Sequence, residues 1–593
     1  MIIQWPPVPG QDTRSFGNAA GSELYRRGGD LSNAADGLRA LPLVIADPRN
    51  ERHSIFSDVL EPYLNQMGIS FELLEQAAGP FTGAELSQWP LIILAHPGCL
   101  SGQTELASAV VRAVEAGTGL VSFGEQIAPW AHSYAGSEAS TFVAIRDADH
   151  PISRLHRQGE RRRHYHLNKE ITPAISSSAA PLVTLGSGPL LSVVQADGQG
   201  RVAVWSTLEW GRHDVLGPLY GLDDLLWRSI VWAARKPFVT RSLPPFLTMR
   251  IDDVSGFGQL KGGATGLYWL RDCVELGWKP WVGLFLDDLT PDVLDELRPM
   301  LRQNQVTACP HAFSYWDFGY FRHTPKYPDQ GYWSEAAACE PYTESEVLDR
   351  VRRVEAWYAK HPDIPMSKVF VPHYYELSEG YMPHLARWGC EFICSMNPEN
   401  TPYPGTMTFG GPYYKKTTPP TQTTPVFYAD WYPAKEEKYR KSLFASITEI
   451  RDDNGYEWAP NNKVDDTIQH GINQISRALD AQVLAQLFTH ESGYIQYIKP
   501  DHWKAIMEAI TDTFAARGVI HTTLDDAMAY MRDLHESRLI GAACVDGELE
   551  VRFEGTSAGQ TKIAVYADDT LEPVWREIRP FNGTHRETMP VRK

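Results

Sequence analysis

Short apolar runs alternate with helix-period stretches along most of this chain. LPLVIAD from Leu41, FELLE, WPLIILAHPG and GLVSFGEQ are apolar segments bounded by turn residues, and helical spacing fills Asp58 to Met67 and Glu105 to Ala116 between them. Strand, helix, strand at such spacing predicts right-handed βαβ units and a parallel sheet. Strand patterns return in PLVTLG, LLSVVQ and GRVAVWS, and the region closes on a helix within YGLDDLLWRSIVWAARKP. SLPP, Ser242 to Pro245, marks a boundary because two prolines stiffen the chain and stop regular structure.

A second alternation starts at Phe246. Strands are expected in FLTMRIDD, PWVGLFLDD, QVTACPH, KVFVPHYY, EFICSM, QLFTHES and VIHTTL. Helices are expected over Thr265 to Glu275, Pro291 to Gln303, Tyr381 to Trp388, Val464 to Ala485 and Pro500 to Arg517. Thr343 and Glu346 form a capping box ahead of another helix, whose apolar stripe is Val347, Val351, Val354 and Tyr358. About seven strands with intervening helices point to a distorted (β/α) barrel rather than an open sheet. Beyond Leu539, GELEVRFEG and KIAVYADD alternate with period two, as in a small antiparallel β domain. The organisation is therefore an arm (1–40), an α/β domain (41–240), a barrel (244–538) and a C-terminal β domain (539–593).

Composition narrows the function. The 593 residues carry a net charge of −18, which disfavours nucleic acid and anionic membrane, since phosphate binding needs clustered Lys and Arg. No apolar run approaches a membrane span, and MIIQWPPVPG lacks the features of a secretory signal, so a cytoplasmic protein is expected. Seven cysteines, Cys99, Cys273, Cys309, Cys339, Cys390, Cys394 and Cys544, without zinc-knuckle spacing argue against a disulfide scaffold.

The chemistry lies at strand ends. Asp252-Asp253 follow FLTMRI, His311 follows VTACP, His373 follows VFVP, and His490-Glu491 follow LFT. The carboxyl ends of parallel barrel strands open onto one face, where active sites of this architecture assemble. Carboxylates and histidines on that face supply metal ligands, a base for water and an acid for a leaving group.

RIDD, PHAFS, VFVPHYYELS, YADW and LFTHES, in this order, resemble the motif series of the polysaccharide deacetylase superfamily over residues 244–535. The likeness is to the divergent branch that includes heparan sulfate N-deacetylase domains and fungal galactosaminogalactan deacetylase. The resemblance implies a metal-dependent hydrolase that removes an N-acetyl group from an amino sugar or its polymer. Asp252 would be the general base and His490 the general acid. Asp253 and His311 would hold a divalent metal, zinc in the first instance. The family's second histidine, four residues after the first, is here Tyr315, which leaves Asp317, His323 or His373 as third ligand. Members resembling allantoinase-like hydrolases work without metal, and that alternative stands beside the first. Arg250, Tyr315, Trp316, His373, Tyr374, Trp431 and Glu491 are the expected substrate contacts.

The first domain resembles class I glutamine amidotransferase-like and trehalose-utilisation-type domains of flavodoxin-like fold. GLVSFGEQ matches the nucleophile elbow loosely, with Ser122 in the nucleophile position, Leu120 where a glycine belongs and Glu125 after Gly124; His213 is an available base. A hydroxyl in place of a thiolate favours a non-catalytic domain, and Cys99 reads as a loop cysteine. His164 and His166 beside Arg161 to Arg163 fit a solvated basic strand better than a metal site.

Tyr315, Trp316, Phe318, Tyr320, Phe321, Tyr332 and Trp333 crowd the segment after His311. Tyr374, Tyr375, Tyr428, Trp431 and Tyr432 accompany the other motifs. Flat rings with polar edges suit sugar faces, so carbohydrate is the expected partner, with no nucleic acid and no membrane span; homo-oligomerisation is left open. Two other readings remain: an inactive carbohydrate-binding protein, and a glycosidase pairing Asp252 or Asp253 with Glu491 across about 5 to 9.5 Å.

Overall fold

The computed structural model describes residues 38–591 except 76–80, 126, 134–141, 164–174, 178–180, 196–197, 212–214, 217–221, 257–265, 316, 318, 321, 326–335, 341, 374–376, 395–413, 416–425, 429–443, 447–462 and 481. Among these residues the protein is a mixed α/β structure of several sheets.

The first sheet has nine strands in the order Glu72–Glu75, Leu43–Ala46, Leu91–Leu94, Gly119–Phe123, Val202–Trp205, Gly188–Val194, Pro181–Leu185, Phe142–Ile145, Arg161–Arg163. The first five are parallel and the rest antiparallel, so the expected βαβ core carries a meander on one side. Leu43–Ala46, Leu91–Leu94 and Gly119–Phe123 are buried throughout, as strands covered on both faces must be. The helix Thr104–Glu115 turns Leu106, Ala109, Val110, Ala113 and Val114 inward and shields one face. His164, His166 and His213 lie outside the described residues.

A second sheet is parallel, in the order Thr307–Ala312, Pro280–Phe285, Phe246–Val254, Ala485–His490, with Ile520–His521 also pairing with Phe246–Val254. Val369–Phe370, Phe392–Cys394, Phe444–Ser446 and Val426–Tyr428 form a separate four-stranded sheet. The helix Glu344–Lys360 begins at the expected capping box. No closed barrel ladder forms among the described residues. The two sheets meet where Ser367 N–H donates to Ala308 O at 2.7 Å.

The C-terminal β region takes strands from elsewhere in the chain. Leu38–Arg39 pairs with Ser537–Val545, and Phe238–Thr240 pairs with Thr561–Tyr566. The end of the arm and the segment just before SLPP are thus built into the tail's sheets. No helix among the described residues is long and apolar enough to cross a membrane.

Candidate metal and hydrolytic centre

Phe246–Val254 is buried over all nine residues, yet carries Arg250, Asp252 and Asp253. Buried charges persist only where they compensate one another. Arg250, fully buried, places Nε 2.8 Å from Asp252 Oδ1 and its terminal nitrogen on Oδ2, while Phe488 lies under the guanidinium at 4.6 Å. Burial pushes the Asp252 carboxyl up, but Arg250, His311 and His490 outweigh it and hold it below the ordinary carboxylate value. Asp252 is therefore an oriented carboxylate at neutral pH.

Successive residues of a regular strand point to opposite faces, so Asp252 and Asp253 could not share a site without a break. The break is a bulge. Ile251 pairs with Val282 and Val254 with Leu284, which leaves an extra residue on the Asp strand. Asp253 takes a left-handed φ of 59°, a conformation Asp tolerates better than most side chains. Both carboxylates then face one imidazole, with Asp252 Oδ2 at 3.6 Å and Asp253 Oδ1 at 3.3 Å from His311 Nε2.

His311 is held from behind. Its Nδ1–H donates to Val371 O at 2.7 Å, which puts the lone pair on Nε2 in the neutral ring. Gly283 makes room for it, since a Cβ there would lie 2.9 Å from the His311 side chain. His373 completes the group, with Nε2 3.4 Å from Asp253 Oδ1. Burial pushes His373 down to about 3, opposed by Asp253 and reinforced by His311 and His490, so its ring is neutral at neutral pH. Phe285 stacks near His311 and meets His373 edge-on, fixing both rings.

Asp253, His311 and His373 are all buried, and each turns one ligand atom to within 4.8 Å of the others. Asp253 Oδ1 and His311 Nε2 are buried without a hydrogen bond. A carboxylate oxygen facing the lone pair of an imidazole is unfavourable unless a proton or a cation lies between them. The donor set of one carboxylate and two imidazoles fits a divalent metal with open positions, so the group could bind one.

His490 lies across from Asp252 in the parallel ladder. It is half-buried and packs against Phe488 and Tyr494, which gives it access to solvent that the triad lacks. Tyr315, expected in place of a second histidine, is half-buried within electrostatic reach of Asp253 and in ring contact with Phe285, at the rim of the centre.

Several expectations need correction. Asp317 is not part of the group, because its oxygens are taken by Arg350 and Arg353 at 2.7 Å each. Arg250 is not exposed to substrate; it is fully buried and grips Asp252. Glu491 is also fully buried and accepts from Ser255 N–H at 2.6 Å, Gly256 N–H at 2.9 Å and the Trp269 indole at 3.3 Å. It latches the turn that follows Asp253, with both oxygens engaged by these donors. Tyr320 is a core residue whose hydroxyl donates to Pro310 O at 2.9 Å. The His323 side chain, Trp316, Tyr374 and Trp431 lie outside the described residues. Sequence reasoning missed the positioning roles of Arg250 and Glu491, although each stands within two residues of a named candidate.

No protein-family model and no curated protein sequence matches the chain. Solved structures give loose overlaps. A candidate glycoside hydrolase/deacetylase from Parabacteroides distasonis aligns at 10% identity over 57% of this chain and 85% of that one, with a TM-score of 0.31. A family 4 carbohydrate esterase from Streptomyces lividans, in complex with acetate, aligns at 10% identity over 47% and 92%, with a TM-score of 0.22. A ThuA-like candidate from Bacteroides uniformis aligns at 15% identity over 35% and 95%, also with a TM-score of 0.22. Superpositions this loose do not decide the chemistry, which rests on the side chains described above.

Proposed function

We propose that this protein is a metal-dependent hydrolase that removes an amide-linked acetyl group from an amino sugar or its oligomers. The observation that carries the reading is the buried Asp253, His311 and His373 group, with an Arg-clamped carboxylate, Asp252, on one side and the half-buried His490 across the ladder. A divalent metal held by the three would supply Lewis-acid polarisation of the acyl oxygen and a more acidic water. Asp252, ionised and oriented by Arg250, takes a proton from the attacking water. His490 gives a proton to the departing amine nitrogen as the C–N bond breaks, and acetate and the free amine leave. Arg250 keeps the carboxylate in one rotamer and Val371 O keeps His311 in one tautomer, so neither reorganises during the reaction.

The test is acetate release from N-acetylated amino-sugar oligomers, with metal content measured on the purified protein. Activity is expected to fall on chelation and return with zinc or another divalent ion. Asp252→Asn and His490→Ala are each expected to lower turnover by about 10²-fold or more with folding intact. Wild-type rates in both variants would overturn the assignment. Full activity after verified metal removal would leave the hydrolase but remove its metal dependence.

A further inference from the structure

The five parallel strands of the first sheet follow the doubly wound order in which the chain leaves its first strand, Leu43–Ala46, toward Glu72–Glu75 on one side and then crosses to Leu91–Leu94 on the other. The winding direction reverses between Leu43–Ala46 and Leu91–Leu94. In open α/β sheets the crevice beyond the carboxyl ends of the strands at such a reversal is where ligands bind, because the two following loops part there. Independently of that rule, a hollow of about 530 Å³ opens at this place, lined by Arg49, Asn50, Glu51, Arg52, Pro97 and Gly98. These residues come from the loops after the two strands.

The loops are tied at the base of the hollow. Asn50 Nδ2 donates to Gly98 O at 3.2 Å. Gly98 has φ +80°, and a Cβ there would sit 2.5 Å from Asn50 Nδ2, so only glycine lets the amide seat.

The buried residues at these strand ends are already committed. His96 accepts from Asp47 N–H at 3.0 Å and donates to Pro97 O at 3.0 Å. Cys99 is fully buried, and burial followed by the nearby Glu125 pushes its thiol well up. The buried Ser122 hydroxyl donates to Glu125 O at 2.9 Å. None of these lines the hollow and none is poised as nucleophile or base, so the lining itself offers no catalytic group of this kind.

Its charge pattern selects the ligand. Arg49 forks onto Asp47 at 3.0 and 3.2 Å, and the charges of Glu51 and Arg52 cancel. An anion site would keep uncompensated positive charge. The exposed Arg52 and Glu51 instead offer donors and acceptors side by side without net charge, which is what sugar hydroxyls require. We infer that the crevice between the Asp47–His53 and Ala95–Leu100 loops is a binding site for a neutral, polyhydroxylated ligand, a carbohydrate unit, separate from the metal and hydrolytic centre.

The site is tested on the full chain by calorimetric titration with three neutral probes, maltohexaose, cellohexaose and hexa-N-acetylchitohexaose, and with inorganic phosphate. The probes are run on wild type, on Glu51→Ala and on Arg52→Ala, whose side chains are exposed. Saturable binding of at least one oligosaccharide is expected, weakened at least about tenfold in both variants, with unfolding temperature and acetate release from a monosaccharide unchanged. Three results would overturn the inference: no saturation by any of the three sugars, sugar binding indifferent to both variants, or saturable binding by phosphate alone. No acetate release by the wild type, together with saturable sugar binding that both variants weaken, would count against the hydrolase and leave this site standing.

Discussion

The parallel strands of the first two sheets carry similar residues at their carboxyl ends and use them differently. In the first sheet His96, Cys99, Ser122 and Glu125 are buried there, and His96 and Ser122 bond to backbone groups, His96 to Pro97 of its own loop and to Asp47 of the neighbouring one. In the second, Asp253 Oδ1 and His311 Nε2 face one another at 3.3 Å without a well-formed hydrogen bond. Burying an unbonded polar atom costs roughly 1 to 3 kcal/mol. A divalent cation between the two atoms would remove that cost. Residue type at a strand end is thus a weak guide to chemistry, and what the polar atoms are left to do is a stronger one.

The comparison is broken most directly by exchanging alanine for the histidine in each sheet. His373→Ala should lower turnover by about 10²-fold or more and abolish stoichiometric metal uptake, measured by atomic emission on the purified protein. His96→Ala should leave turnover and metal content unchanged while costing about 1 to 3 kcal/mol of stability, because Asp47 N–H loses its acceptor. If His96→Ala inactivates without unfolding, the first sheet is not inert.

The latch gives the next effect. In Glu491→Gln an amide NH₂ would confront at least one of the N–H donors now accepted by the carboxylate, and the left-handed Asp253 would lose its support. Metal affinity is expected to fall about 10- to 100-fold, read by titration against a metallochromic competitor, with substrate KM little changed. A KM change at constant metal affinity would return Glu491 to substrate contact. A smaller effect is expected at Ser122. Ser122→Ala removes one hydrogen bond and should cost about 1 kcal/mol, with activity retained.

Acid should give the last and smallest effect. Burial lowers His96 from its ordinary value of 6.5, so the stability that comes from keeping it neutral is fully present above pH 6.5 and is lost as pH falls through its lower folded value. Asp253 is lowered from 3.8 by its three histidine neighbours, which outweigh burial; its contribution is present above that pH and is lost only in stronger acid. His373, lowered from 6.5 to about 3, loses its contribution from pH 6.5 downward, so amide exchange should accelerate below pH 6.5 around Asp47 through His96 and around Ser255 through His373. Exchange around Ser255 that stays flat until pH falls below 3.8 would contradict the part given to His373.

Much of this was legible in the sequence. Apolar runs of strand length placed Leu43–Ala46, Leu91–Leu94, Phe246–Val254 and Ala485–His490, because burial on both faces requires near-continuous apolar residues. Clusters after those runs pointed to Asp252, Asp253, His311, His373 and His490, because the end of a strand is visible in the pattern. Barrel closure was not legible, since pairing between distant strands leaves no local trace. The loan of Leu38–Arg39 and Phe238–Thr240 to the C-terminal sheets was hidden for the same reason.

The sequence by itself determined which residues stand at the strand ends and which chemical types they offer. Only the tertiary structure decided what each one does. A one-residue bulge and a left-handed φ turned Asp253 to the same side as Asp252. A carbonyl from a separate sheet set the His311 tautomer. Packing chose His373 over Asp317, whose charge two arginines of a neighbouring helix had already taken. The physical reason is common to all three: a ligand atom's availability depends on who else has bonded to it, and those partners come from parts of the chain far away in sequence.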